Sequence, residues 1–287
     1  MEIVFSRKCL EYGEYHLENP ERIIIAYNIL KSKGYEFLEP KPASLKDLLR
    51  VHTKSYVEKV RKGEIEDPDT PAYPNIYEYA RLSAGGAILA AEINGFSLMR
   101  PPGHHAGKNG IALNASTRGF CYFNNVAIAV KKMDLNTLII DIDGHHGNGT
   151  QEIFLGDEKV TFISLHRFPF YPGTGYKSEK NCLNFPLSAE CGDKTYLRTL
   201  RKAIEKVDLS RIEVVAVSAG FDAHKGDLAS LGLSTGCYRE IGKIIGKIKK
   251  PTFFVLEGGY IGKNLGQDTD ELIKGFNKAN HLKRFLS

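Results

Sequence analysis

The sequence contains no Cys-x-x-Cys pair, and its five cysteines (Cys9, Cys121, Cys182, Cys191 and Cys237) are odd in number and widely spread. This argues against a disulfide framework and a thiolate zinc site, and makes a reducing cytoplasm the expected compartment. Nowhere do about 18 apolar residues occur together, the length a membrane span needs. The opening segment MEIVFSRKCLEYGEYHLENPER has no apolar run long enough for a signal peptide, so no membrane association is expected. Blocks of one charge are missing too. The 39 basic and 34 acidic residues, net +5, are spread along the chain and form no stripe for nucleic acid. The short run Lys247-Ile-Lys-Lys250 reads as a solvated helix end favoured by the helix dipole. No Gly/Ser or Pro spacer and no internal repeat is evident. One domain over residues 1–287 is expected, with 42% hydrophobic residues to fill its core. The longest polar stretch, Gly63 to Pro74, reads as a surface loop between helices.

What is present is an alternation. Runs rich in Val, Ile and Phe at Leu138 to Ile142, Val160 to Leu165, Val214 to Ser218 and Thr252 to Leu256 read as buried strands; Ile3 to Phe5 and Gly95 to Met99 are weaker strands. Between them lie helix signatures. Asn19 caps a pattern that starts at Pro20 and ends at Gly34, Asp193 caps Lys194 to Val207, and Ser234 to Lys250 is another. Strands alternating with helices predict an α/β fold, a parallel sheet flanked by helices on both faces.

Five of these strands are followed by chemistry. RPPGHHA follows Gly95 to Met99, DGHHGNGT ends Leu138 to Ile142, His166 follows Val160 to Leu165, AGFDAH follows Val214 to Ser218 and EGGY follows Thr252 to Leu256. Open α/β sheets place ligand crevices at this edge. Asp141, Asp143 and His145 alternate, so an extended segment projects them to one side. Any one of these residues alone is more often a cap, a turn or a satisfied core group. Together with Asp222 and the pair His104-His105 they would repel or desolvate one another unless a cation sits among them. Two carboxylates and one imidazole with open positions suit catalytic Zn²⁺, and the oxygen-rich set also accepts Fe²⁺ or Co²⁺.

The motifs RPPGHHA (100–106), GFCYFNN (119–125), DIDGHHGNGT (141–150), PGTG (172–175), GFDAH (220–224) and EGGY (257–260), preceded by HLENPERI (16–23), occur in an order and spacing that resemble the zinc-dependent histone deacetylase family. That family includes acetylpolyamine amidohydrolases and acetoin-utilisation proteins. The resemblance implies an arginase/deacetylase-like fold and hydrolysis of an acetyl or short acyl amide, with a small N-acetylated amine or acetyl-lysine as substrate. By resemblance, Asp143, His145 and Asp222 hold zinc, His105 is the general base, and His104 is its electrostatic or general-acid neighbour. Asp141 orients His104, and Tyr260 donates its hydroxyl to the carbonyl oxygen. A structural K⁺ maps to Asp141, Asp143, His145 and Ser164. Gly119, Phe120 and Tyr171 match the acyl-lysine tunnel, and Arg22 matches an arginine near the floor of the active site.

The chemistry agrees with that assignment. An amide carbonyl must be polarised while water is made nucleophilic, and zinc on two carboxylates acidifies water less than zinc on neutral imidazoles, so a separate base is needed. Gly258-Gly259 beside Tyr260 is expected to permit backbone mobility.

Two departures stand out. Asn148 replaces the Asp that many members place beside the base, a trait of the so-called class II members and bacterial relatives, and predicts a less basic His105. Ala229, seven residues after Asp222, stands where relatives carry a leucine or a polyamine-favouring glutamate, and Asp227 lacks the usual following Pro. Two alternatives remain: a binuclear manganese ureohydrolase of the same fold, and a silent acyl-ligand-binding protein.

Overall fold

The apolar runs assemble into one sheet. In a computed structural model that describes residues 1–280, eight strands are found among the described residues: β1 (Ile3–Val4), β2 (Phe37–Leu38), β3 (Phe96–Ser97), β4 (Thr137–Asp141), β5 (Val160–Arg167), β6 (Cys182–Leu187), β7 (Val214–Ala219) and β8 (Thr252–Leu256). Their order is β2-β1-β3-β8-β7-β4-β5-β6, and every neighbouring pair is parallel. Alternate residues serve opposite faces. Leu138, Ile140, Val215, Val217, Phe254 and Leu256 pack towards the helices Glu21–Ser32, Gly192–Glu205, Thr235–Gly246 and Gly262–Asn280. Ile139, Ala216, Phe253 and Val255 pack towards Ile76–Ile93 and Asn125–Met133. With both faces covered, the central strands need apolar residues at every position, and so they read as continuous runs rather than alternating ones.

The two strands absent from the sequence reading are the edges. β2 has two residues, both half-buried, and β6 carries Asn184 and Pro186 within its six. An edge strand tolerates a proline because one row of its backbone groups has no ladder partner. Three local expectations are corrected. Asp193 does not cap its helix: its carboxylate accepts the Ser234 N–H at 2.9 Å and the Ser234 hydroxyl at 2.5 Å. The helix starting after Ser234 ends at Gly246, not Lys250, since Lys249 turns to φ 60° ahead of Pro251. The first helix runs from Glu21 to Ser32 rather than from Pro20 to Gly34, although Asn19 does accept the Arg22 N–H at 3.2 Å as a cap would.

The strand order decides what meets what. β4 lies between β7 and β5, with β8 and β3 beyond β7, so the segments after β3, β4, β7 and β8 emerge side by side. Residues 63–75, which contain the loop read from the sequence at Gly63 to Pro74, join the helices Lys54–Lys62 and Ile76–Ile93.

Candidate active site

Asp143, His145 and Asp222 offer three ligand atoms within 4.8 Å of one another, the one such cluster of three among the described residues, and all three side chains are buried. The local part is built within the turn after β4, where Asp143 Oδ1 accepts the His145 N–H at 2.8 Å and lies 3.1 Å from His145 Nδ1. Asp222 arrives from the end of β7, its Oδ1 accepting the Gly144 N–H at 2.7 Å. Asp222 Oδ2 is buried 2.8 Å from His145 Nδ1 yet receives no well-directed hydrogen bond. A buried carboxylate oxygen left without a donor is expensive, and beside a second carboxylate and an imidazole nitrogen it fits a divalent cation. Burial opposes charge on His145, but Asp222 and Asp143 outweigh it and lift the ring to about 9. Burial, then Asp143, pushes Asp222 up to about 6.

The glycines here serve close approach rather than mobility. A Cβ on Gly258 would stand 2.5 Å from Asp222 Oδ2 and 2.6 Å from Asp143 Oδ2, and the Gly258 N–H donates to Asp143 Oδ2 at 2.8 Å. The expectation of a mobile Gly258-Gly259 is therefore replaced: Arg22, 2% exposed, donates to the carbonyls of Glu257 and Gly259 at 2.5 and 2.6 Å and closes on Glu18 at 2.9 Å.

The two imidazoles lie with ring centroids 4.0 Å apart. His104 Nδ1 is 2.9 Å from Asp141 Oδ2; burial opposes its charge, but Asp141, then Asp143, overcome this and raise it to about 10. His105 Nδ1 is 2.7 Å from Asn148 Oδ1, and Asn148 Nδ2 donates to the Ala112 carbonyl at 2.9 Å. The Ala112 contact orients the amide, so Nδ1 of His105 carries the proton and Nε2 presents its lone pair. Burial, then His104 and His145, hold His105 well below the usual imidazole range.

Above these groups is a cavity of about 150 Å³, lined by Asp69, His105, Gly119, Phe120, His145, Phe170, Tyr171, Leu228 and Tyr260. Gly119 is tightly constrained, for a Cβ there would meet His105 Cδ2 at 2.4 Å. Phe120 holds φ 69°, a costly conformation for a bulky residue, with its N–H on Thr70 Oγ1 at 3.0 Å. Its ring meets that of Tyr260 edge-on at 5.8 Å. Tyr171 donates to the Thr117 carbonyl at 3.0 Å and stands edge-on to His105 at 5.1 Å.

A family model of the histone deacetylase domain matches residues 16–276. The chain belongs to the histone deacetylase family. A protein of Archaeoglobus fulgidus described as a probable deacetylase is 39% identical, over 90% of this chain and 80% of its own length. The HD domain of HDA15 is 31% identical and superposes with a TM-score of 0.86, over 95% of this chain and 87% of that one. An acetylpolyamine aminohydrolase from Burkholderia pseudomallei, 23% identical, shares the fold with a TM-score of 0.87 over 97% of this chain and 99% of its own. The arginase/deacetylase-like fold expected from the motifs is the observed one. This deacetylase family member is an enzyme, a hydrolase acting on acetyl amides, of a metal-dependent family. Among the described residues no helix is long and apolar enough to cross a membrane, and the five cysteines are unpaired.

Several groups of this deacetylase site were not singled out in the sequence. Asp69 comes from the polar loop and accepts the Thr117 hydroxyl at 2.5 Å; nothing in a surface-loop composition marks it. Phe170 stacks on His145 at 5.5 Å, and its place beside Tyr171 was the available hint. Glu257, fully buried, accepts the N–H groups of Gly103 and His104 at 2.7 and 3.1 Å and so ties the EGGY turn to the histidine pair. Leu228, 39% exposed, lines the cavity, whereas Ala229 is buried against Gly144, so the rim position inferred by counting from Asp222 falls one residue late. Asp141, at the end of β4, and Ser164, within β5, are register partners, with the Ser164 hydroxyl 2.9 Å from His166 Nδ1. His224 turns away from the site to Asp268, 2.7 Å from its Nδ1.

Proposed function

We propose that this chain is a zinc-dependent deacetylase, one catalytic domain that removes acetyl or short acyl groups from an unbranched aminoalkyl arm such as that of acetyl-lysine or an acetylpolyamine. One observation carries the reading: a three-ligand cluster with an orphaned carboxylate oxygen lies at the floor of a narrow aromatic cavity, beside an imidazole whose tautomer is set for proton acceptance. The cavity is about half the lower size of usual ligand pockets, roughly 300 Å³, which suits a single extended arm rather than a bulky ligand. Zinc on Asp143, His145 and Asp222 would supply Lewis acidity towards the amide carbonyl and towards water. His105 Nε2 takes the proton of the attacking water, since its Nδ1–H is committed to Asn148. His104, charged through Asp141, stabilises the developing negative charge and supplies a proton to the leaving amine. Tyr260 lines the cavity and places its hydroxyl on the carbonyl oxygen, while Phe120, Phe170 and Tyr171 enclose the arm and exclude water. Arg22 holds the carbonyls on either side of Gly258. Fe²⁺ and Co²⁺ fit the same donor set. A structural K⁺ at Asp141, Asp143, His145 and Ser164 rests on the family resemblance; Asp141 at the end of β4 is the register partner of Ser164 in β5, and Asp143 and His145 lie in the turn that follows β4.

The test is an acetate-release assay on acetylpolyamines, acetyl-lysine peptides and longer acyl-lysines, run with Zn²⁺, Fe²⁺ and Co²⁺ enzyme of measured metal content. The expected result is turnover of at least one acetylated amine with one divalent ion per chain in the cluster. Two manganese ions and urea release, with no acetate, would establish the ureohydrolase instead. His224, spent on Asp268, gives that rival little support.

Asn148 sets a pH prediction. His105 works as a base only when neutral, so kcat/KM falls as pH drops through its pKa, which burial, then His104 and His145, hold well below the imidazole range. Asn148→Asp adds a negative charge beside Nδ1–H, stabilises the imidazolium and raises that pKa. The acidic limb should move to higher pH, with some loss of maximal rate because a carboxylate oxygen would then face the Ala112 carbonyl. A limb that stays in place or moves down contradicts the role of His105.

A further inference from the structure

The peptide group that joins Gly259 to Tyr260 is gripped from both sides. Its carbonyl accepts Arg22 Nε at 2.6 Å. Its N–H donates to Asp227, 3.2 and 3.0 Å from the two carboxylate oxygens, and the next N–H, of Ile261, donates to Asp227 Oδ2 at 3.1 Å. Both amides lie at the start of the helix Gly262–Asn280, where unsatisfied N–H groups and the helix dipole favour a negative charge. Among the described residues the side-chain partners of Asp227 are all backbone amides: Leu228, Tyr260 and Ile261. Gly259 has φ 117°, a conformation open to glycine that its own side chain does nothing to fix, so the orientation of the peptide depends on these partners.

We propose that Asp227 is a positioning residue for the reaction: its carboxylate, opposing Arg22 across the Gly259–Tyr260 peptide, fixes the backbone that aims the Tyr260 hydroxyl into the cavity. This rests on the reading of Tyr260 as the donor to the carbonyl oxygen. The loop that carries Asp227 has its own supports, since Ala229 N–H bonds the Asp222 carbonyl at 3.2 Å, Ser230 N–H the Asp227 carbonyl at 3.2 Å and Leu231 N–H the Ala223 carbonyl at 3.0 Å. Removing the carboxylate therefore takes away the ties to residues 260 and 261 and the bond from the Leu228 N–H at 2.7 Å, while the backbone bonds of residues 229–231 still hold the loop.

The test measures kcat and KM for acetate release by metal-loaded wild type, Asp227→Ala, Tyr260→Phe and the double variant. Tyr260→Phe should lower kcat by about 10²–10³. Asp227→Ala should lower kcat by roughly 10- to 100-fold, the scale of a displacement of about 1 Å, with KM changed less than about threefold. In the Tyr260→Phe background the same change should cost less than about threefold, because residues that act as a unit are not additive. Asp227→Asn, which keeps an acceptor oxygen, should restore most of the rate. Equal losses in both backgrounds, or an unchanged kcat for Asp227→Ala, overturn the proposal while leaving Tyr260 in its role. No loss in Tyr260→Phe overturns the reading of Tyr260 itself and the proposal with it. Should Asp227→Ala fail to fold or to hold metal, Asp227→Ser is measured in both backgrounds against the same expectations.

Discussion

Asp222→Asn is expected to lose the divalent ion and the hydrolysis together, with metal content falling from one ion per chain to near none and acetate release falling below detection. Asparagine keeps an acceptor for the Gly144 N–H but removes the charge on a buried carboxylate oxygen of the cluster that has no donor of its own. The melting temperature separates this from general damage. A ligand that binds only the folded state at about 100 times its Kd adds about 2.7 kcal/mol. For a chain of this size that is roughly 4–5 °C. Wild type should lose this increment on treatment with a chelator, and Asp222→Asn should show no response to metal or chelator. The metal-free variant should melt no lower than metal-free wild type, because burial and Asp143 already push the Asp222 carboxyl up to about 6 and asparagine relieves that conflict. In wild type, metal affinity should decline as pH falls from 9 towards 6, since protons on His145 and then on Asp222 compete with the ion. Full metal occupancy with wild-type turnover in Asp222→Asn would remove the centre of the proposed mechanism.

His105→Gln should keep the metal and lose the base. The expected decrease in kcat/KM is about 10²–10⁴, with metal content unchanged because His105 is not part of the three-ligand cluster. The acidic limb of the pH profile should vanish along with the ring that titrates. Glutamine offers an amide to Asn148 in place of the imidazole N–H, so the folded state retains a partner there. A decrease of less than tenfold, or an acidic limb that survives, would move the base to another group, and His104 would be the first to examine given its contact with Asp141.

The legible part of the fold was its buried part. β4, β5, β7 and β8 are covered on both faces and must be apolar throughout, so their runs appear in the sequence within about one or two residues of the observed ends. β2 and β6 lie at the edges, where half-exposed positions, Asn184 and Pro186 dilute the pattern. Asp193 has the composition of a cap, yet the approach of Ser234 from another helix draws its carboxylate away. Glycine next to Tyr260 suggests freedom when read alone, and only the positions of Asp143, Asp222 and Arg22 show that the space is taken and the peptide held.

The sequence by itself determined the alternation of strands and helices, the residues capable of chemistry that follow the strands, and the closeness in sequence of Asp143 and His145. These depend on interactions between residues a few positions apart, which leave a periodicity or a spacing to read. Only the tertiary structure decided that β7 lies beside β4 and carries Asp222 to that turn, that the polar loop delivers Asp69 to the cavity, that Leu228 rather than Ala229 faces it, and that Asp227 meets the Tyr260 amide. Those contacts depend on strand order and on the paths of loops, which are set by the packing of both sheet faces at once, and no short segment of the chain carries that information.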